Sequence, residues 1–178
     1  LDVDIERVSE FASISDGGSV FYVATAVGRP GVFVVQRNSL LDDDGALLAD
    51  DGGQALFPIA LDGDRVLVLS DRLEGLPGQA LAIVPGGRTS PISGGLIAGP
   101  DRFVGIVPMF SATADAEAVA FFAQEKSAQG PGPLTLFLSV QTDSGRALLP
   151  LAPVGSFLGR SDLFVRSDVR PSVAITRE

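Results

Sequence analysis

The side chains best placed to do chemistry are the acidic run Asp42-Asp43-Asp44-Gly45 and, close behind it, Asp50-Asp51-Gly52-Gly53. Carboxylates carried on a glycine-bent loop supply the hard oxygen ligands that Ca2+ prefers. Asp42, Asp44, Asp50 and Asp51 are therefore the candidate metal ligands. An EF-type loop needs a further oxygen ligand two residues before Asp42, where Leu40 stands, and no Glu closes the run. A solvated acidic loop accounts for the same residues.

Thr142-Asp143-Ser144-Gly145 holds an Asp-Ser-Gly triplet, which aspartic proteases use to share a proton between two aspartates. Here polar Gln141-Thr142 precedes the Asp where those enzymes carry an apolar run. The downstream Phe157-Leu158-Gly159 lies too close to serve as their supporting segment. Asp-Ser-Gly is also ordinary turn chemistry, and a turn is the reading adopted. Two carboxylates about 5–10 Å apart can hydrolyse a glycosidic bond, a spacing that sequence does not fix. The Glu residues lie mostly at turns or chain ends, and there is no Trp to act as a sugar platform.

Residue types that are missing narrow the function further. The chain has no Cys and no His. Thiol nucleophiles, thiolate metal sites and disulfides are thereby excluded. So are the commonest general base and the commonest transition-metal ligand. No Gly-x-Ser-x-Gly, Ser-x-x-Lys, phosphate-binding Gly-Lys-Ser/Thr or Gly-x-Gly-x-x-Gly pattern occurs, so no catalytic residue and no cofactor site is assigned. Asp and Glu number 22 against 13 Lys and Arg, a formal charge of −9. Such a surface repels phosphate backbones, which argues against a nucleic-acid partner.

The elements that must position any site read as strands. Hydrophobic residues make up 46% of the 178, enough for one sizeable core, while 21 Gly and 12 Pro imply many turns. Short runs rich in Val, Leu, Ile and Phe predict strands at Ser19–Val27, Gly31–Gln36, Gln54–Leu61, Arg65–Ser70, Ala80–Pro85, Arg102–Met109, Ala118–Gln124, Leu134–Gln141, Arg146–Leu151, Asp162–Val165 and Ser172–Thr176. Turn chemistry separates them at 28–31, 62–64, 85–87 and 130–133, with Asp62-Gly63 the tightest hairpin. Ala112–Lys126, the most helix-tolerant stretch, reads better as a turn followed by a strand. Runs such as Val32–Val35 and Leu134–Val140 are apolar on both faces, which predicts sheets covered on both sides. Phe103, Phe110, Phe121, Phe122 and Phe137 are expected in the core. The longest uncharged stretch, Ser127–Thr142, is too short and too rich in Gly and Pro to span a bilayer, so no membrane span is expected in this segment.

Three segments look alike. Ser15-Asp16-Gly17-Gly18-Ser19-Val20-Phe21-Tyr22, Asp50-Asp51-Gly52-Gly53-Gln54-Ala55-Leu56-Phe57 and Ala114-Asp115-Ala116-Glu117-Ala118-Val119-Ala120-Phe121 each set an acidic turn before an apolar strand, and a second apolar strand follows. The pattern resembles the bacterial exported tandem-repeat proteins, of choice-of-anchor type, whose repeats begin with Asn-x-x-Gly-x-x-Ala-Phe. Asp replaces Asn at positions 16, 51 and 115, and Ala116 or Glu117 stands where that motif has Gly. The resemblance implies export, a repeated β-sheet architecture and no catalytic residues.

The expectation is one all-β domain over residues 1–178, built of antiparallel hairpin repeats and propeller-like, with a β-sandwich as the alternative. Opening at Leu1 rather than Met suggests a processed or trimmed chain. The expected task is non-enzymatic: a structural or interaction module at the cell surface or outside the cell. Its partners would be proteins, including neighbouring repeats or further copies of itself. A Ca2+- or carbohydrate-binding β-domain and a glycoside-type hydrolase on a β scaffold are the alternatives.

Overall fold

The computed structural model describes residues 5–37, 45–47, 55–63, 65–71, 73, 76–85 and 91–153. Among them there is no helix, so none that is long and apolar enough to cross a membrane. Twelve strands occur: β1 Ile5–Ile14, β2 Val20–Ala26, β3 Arg29–Arg37, β4 Gly45–Leu47, β5 Ala55–Leu61, β6 Arg65–Ser70, β7 Ala80–Pro85, β8 Leu96–Ala98, β9 Phe103–Ala112, β10 Ala118–Ser127, β11 Gly130–Thr142 and β12 Gly145–Pro153. They form three four-stranded antiparallel sheets, β1–β4, β5–β8 and β9–β12, each ordered as the chain runs. The contacts divide the chain into two units, Leu1–Pro100 with the first two sheets and Asp101–Glu178 with the third.

The sheets recur at a near-constant step. First strands begin at Ile5, Ala55 and Phe103, steps of 50 and 48 residues. Third strands begin at Arg29, Ala80 and Gly130, steps of 51 and 50. Each sheet thus occupies about 50 residues of chain.

The turn before each second strand shows what the acidic motif does. Asp16 precedes Gly18 (φ +84°), Asp62 precedes Gly63 (φ +69°) and Asp115 precedes Ala116 (φ +60°). The left-handed backbone at these corners lets the strand reverse, and Gly reaches it without Cβ strain. Hydrogen bonds close two of the turns alike. In the first, the Ser15 amide donates to the Ser19 carbonyl (2.9 Å) and the Ser19 amide to Ser15 Oγ (3.1 Å). In the third, the Thr113 amide donates to the Ala118 carbonyl (3.0 Å) and the Ala118 amide to Thr113 Oγ1 (3.1 Å). The counterpart in the second sheet is thus Asp62-Gly63 and not Asp51-Gly52, because Ala55, just after the latter, starts a first strand. Measured from Asp16 through Asp62 to Asp115, the steps are 46 and 53 residues, where Asp16–Asp51–Asp115 gives an uneven 35 and 64.

Every first strand is also bulged. One residue of β2 faces three of β1 between Val8↔Ala24 and Ala12↔Tyr22. One extra residue interrupts β5 between Leu56 and Ile59, next to Pro58. Two extra residues interrupt β9 between Ile106 and Phe110, around Pro108. Proline cannot donate to a ladder, and a bulge at an edge strand is where a sheet tolerates it.

Two expected turns shift. Arg29–Gly31 and Gly130–Pro133 are already strand, and the reversals fall one step earlier, at Val27-Gly28 and Ala128-Gln129. Pro30, Pro131 and Pro133 stand in the first residues of β3 and β11, before β4 and β12 pair with those strands, and a strand start tolerates the missing donor. β1, β4 and β8 are additional to the expected strands. Asp162–Val165, Ser172–Thr176 and the 85–87 turn beyond Pro85 lie outside the described residues.

In the first unit, Phe21 and Val23 of β2 pack with Val66 and Val68 of β6 and with Ala80, Ala82 and Val84 of β7, so the first sheet lies on the second. The Ala60 amide donates to Ser13 Oγ at 2.6 Å, tying β5 to β1 across that stack. The second sheet is buried on both faces: Leu67, Leu69, Leu81 and Ile83 are as inaccessible as the Val and Ala of the opposite face. In the second unit, Phe103, Phe121 and Phe137 form an aromatic cluster. Phe121 and Phe137 stack at 5.6 Å, and Phe103 meets them edge-on at 5.8 and 5.2 Å, the offset and edge-to-face arrangements that ring quadrupoles favour. Phe122 is buried on the opposite face, and Phe110 is half-buried.

Candidate functional site

Asp42, Asp44, Asp50 and Asp51 lie outside the described residues. Gly45, the expected bend of the acidic loop, is extended and pairs with Arg37 in the β3–β4 ladder. Among the described residues no three acidic side chains converge in a way that would hold a metal ion. Asp143 and Ser144 form the exposed two-residue turn joining β11 to β12, closed by Thr142 Oγ1 donating to the Gly145 carbonyl at 2.6 Å. That geometry is the turn expected of Asp-Ser-Gly.

The third sheet carries two features able to meet a partner. One is an open groove of about 590 Å3 where the β10–β11 hairpin meets the end of β12. Pro131, Pro133, Pro150 and Pro153 rim it, and Leu151 stands in it, 51% exposed. Leu151 projects because it is the inserted residue between Phe137↔Pro150 and Leu136↔Ala152, and a bulge re-aims the side chain it adds. Four polar side chains around the groove are engaged in local structure. Ser127 Oγ donates to the Gly130 carbonyl (2.7 Å), Thr135 Oγ1 to the Pro133 carbonyl (3.0 Å) and Gln124 Nε2 to the Gly132 carbonyl (3.2 Å). Glu125 Oε1 receives Arg102 Nε at 2.7 Å, and the Arg102 guanidinium sits 5.6 Å from the Phe103 ring centre. A hydroxyl nucleophile needs an adjacent base; these two hydroxyls donate to backbone carbonyls.

The other feature is the face of this sheet opposite the aromatic cluster. Register places its side chains in rows across three strands: Ala118 beside Val140 beside Ala147, Ala120 beside Leu138 beside Leu149, and Phe122 beside Leu136 beside Ala152. All nine are apolar. Burial falls along the middle row, from closed at Ala120 through half-open at Leu138 to 48% exposed at Leu149, whereas the first row is half-open throughout and the third is closed at both ends, at Phe122 and Ala152. The expectation that Leu134–Val140 is covered on both sides therefore needs correction. Thr135, Phe137 and Ser139 are buried, and the alternate residues are only partly covered. Among the described residues, β6, β7 and the Val119–Ala123 stretch of β10 are closed on both faces, while the side chains of Val32–Val35 lie outside those described. No signal in the sequence marked Leu149 or Leu151 as exposed; the β11–β12 register supplies it.

No family model, curated protein or solved structure matches the chain.

Proposed function

We propose that this protein is a non-enzymatic structural and interaction module of the cell surface or exterior, built from propeller-like β repeats and acting through its sheet surfaces on proteins, further copies of itself included. The observation that carries the reading is the succession of complete four-stranded sheets every 50 or so residues, with β6 and β7 of the second sheet buried on both faces. Such units are stabilised by their neighbours rather than alone. A four-stranded meander in chain order is the connectivity of a propeller blade, and bulged, proline-bearing first strands suit the crowded inner edge of one. The placement outside the cell rests on the motif resemblance at Asp16 and Asp115. The absence of His and Cys and the local engagement of the groove hydroxyls support a role in contact rather than catalysis.

The test is the mass of the purified chain by light scattering across concentration. Association into dimers or larger species is the expected result. A monodisperse monomer up to high concentration overturns the reading.

A further inference from the structure

We infer that the groove where the β10–β11 hairpin meets the end of β12 takes a short peptide segment of a partner protein, one that sets an apolar side chain beside a carboxylate. The inference rests on the interaction-module reading above and names the partner chemistry which that reading leaves open.

The walls suit an apolar side chain. Pro131, Pro133, Pro150 and Pro153 line the groove, and Leu151 stands exposed in it. Proline fixes its own φ and carries no amide proton. These walls therefore present carbon and carbonyl oxygen, with little freedom to lose when a ligand settles, and such preorganisation favours binding. Leu151 is held there by the bulge between Phe137↔Pro150 and Leu136↔Ala152, so it is apolar surface that a ligand can cover.

The polar groups select the charge. Ser127 and Thr135 donate to backbone carbonyls, and Glu125 is held by Arg102 at 2.7 Å. Lys126 and Gln129 also line the groove; both are exposed, and neither side chain has a partner among the described residues. Lys126 is the only lysine of the chain. Its backbone amide donates to the Arg102 carbonyl at 2.8 Å, which fixes where the side chain starts. With the neighbouring Glu125 already paired, an ammonium group beside apolar walls is complementary to a carboxylate, and the Gln129 amide can donate a second hydrogen bond. The formal charge of −9 does not reverse this preference. Exposed charges more than about 10 Å away are largely screened at 0.1 M salt, whereas Lys126 acts at contact.

Shape favours a chain segment over a free small molecule. The volume of about 590 Å3 is enough for a ligand, but small-molecule sites enclose most of their occupant, and this groove is open to solvent along its length. An extended segment needs cover on one side only. Binding of an isolated short peptide is accordingly weak, with Kd on the order of 1 mM.

The experiment is amide NMR on the isotopically labelled chain, kept below the concentration at which copies associate. It is titrated with acetyl-Leu-Glu-Leu-amide, acetyl-Leu-Gln-Leu-amide and hexanoate. The acidic peptide is expected to move the amides of Lys126, Gln129, Leu151 and Ala152. It should bind about threefold more tightly than the neutral peptide, within the range of an exposed ion pair. Lys126→Gln should erase that difference, Lys126→Arg should keep it, and Leu151→Gln should weaken both peptides alike. Both positions are exposed, and unchanged amide shifts elsewhere in the third sheet verify that each variant is folded. Equal binding of the two peptides, or a preference untouched by Lys126→Gln, overturns the pairing with Lys126. Shifts confined to other residues, or none at several millimolar peptide, overturn the site. Hexanoate binding more tightly than the acidic peptide overturns the peptide occupant in favour of a small amphiphilic anion. Light scattering decides the module reading separately, so failure of the groove and failure of that reading are distinct results.

Discussion

Ala116 is the least comfortable residue in the third sheet: φ is +60°, its side chain is 1% exposed, and its carbonyl receives Arg146 Nη2 at 2.6 Å. A β-branched side chain tolerates left-handed backbone worst of all. Ala116→Val is therefore expected to destabilise by about 2 kcal/mol or more, combining local strain with overpacking. Gly18→Ala, at φ +84° with open space around the added methyl, isolates the backbone contribution and should cost about 1 kcal/mol. Urea denaturation of both variants checks the order. The Asp-Gly corners were legible from sequence, since Asp and Gly are the residues such backbone selects. Ala116 was not, because nothing in Asp115-Ala116-Glu117 announces positive φ; only its equivalence to Gly18 and Gly63 does.

At the scale of the element, the sheets are held by a few side chains with no exposure and by backbone contacts that admit no added atom. Phe137→Ala removes the ring that both Phe103 and Phe121 touch and should cost about 3–5 kcal/mol. Gly95 sits where β8 closes on β7, its carbonyl receiving the Ile83 amide at 2.8 Å. A methyl there would lie 2.7 Å from the Ile83 carbonyl oxygen. Gly95→Ala is expected to cost about 1–3 kcal/mol, in the range of core overpacking, and to lower the thermal midpoint accordingly. The exposed Arg102–Glu125 pair makes the contrast: Arg102→Ala should change stability by less than about 1 kcal/mol, because solvent screens it. Most strands were readable as apolar runs between turns. β1, β4 and β8 were not: β1 mixes Glu, Arg and Ser with its apolar residues, and β4 and β8 span three residues each. Short edge strands carry little of their own pattern and are defined by the neighbour they pair with.

For the whole molecule, the sequence reading set the second acidic turn before the wrong strand. Asp50-Asp51-Gly52-Gly53 looks more like Asp16-Gly17-Gly18 than Asp62-Gly63 does, and the strand that each precedes decides the matter. Net charge sets the behaviour of the intact chain towards its own kind. Because like-charged copies repel over a distance that salt shortens, from about 10 Å at 0.1 M to about 3 Å at 1 M, self-association should strengthen as NaCl is added. Sedimentation velocity at low and high salt measures this; an association weakened by salt would mean that ion pairs and not apolar faces join the copies.

Among the described residues, each hydrogen-bonded strand pair joins strands consecutive along the chain. None of these ladders waits for a segment made much later, so each of these sheets has its described backbone partners as soon as its own fifty or so residues exist. On the ribosome such a chain could acquire structure in instalments, from the amino end onward. Amide protons of β6, enclosed on both sides, should then be among the slowest to exchange once the neighbouring sheet has closed over them.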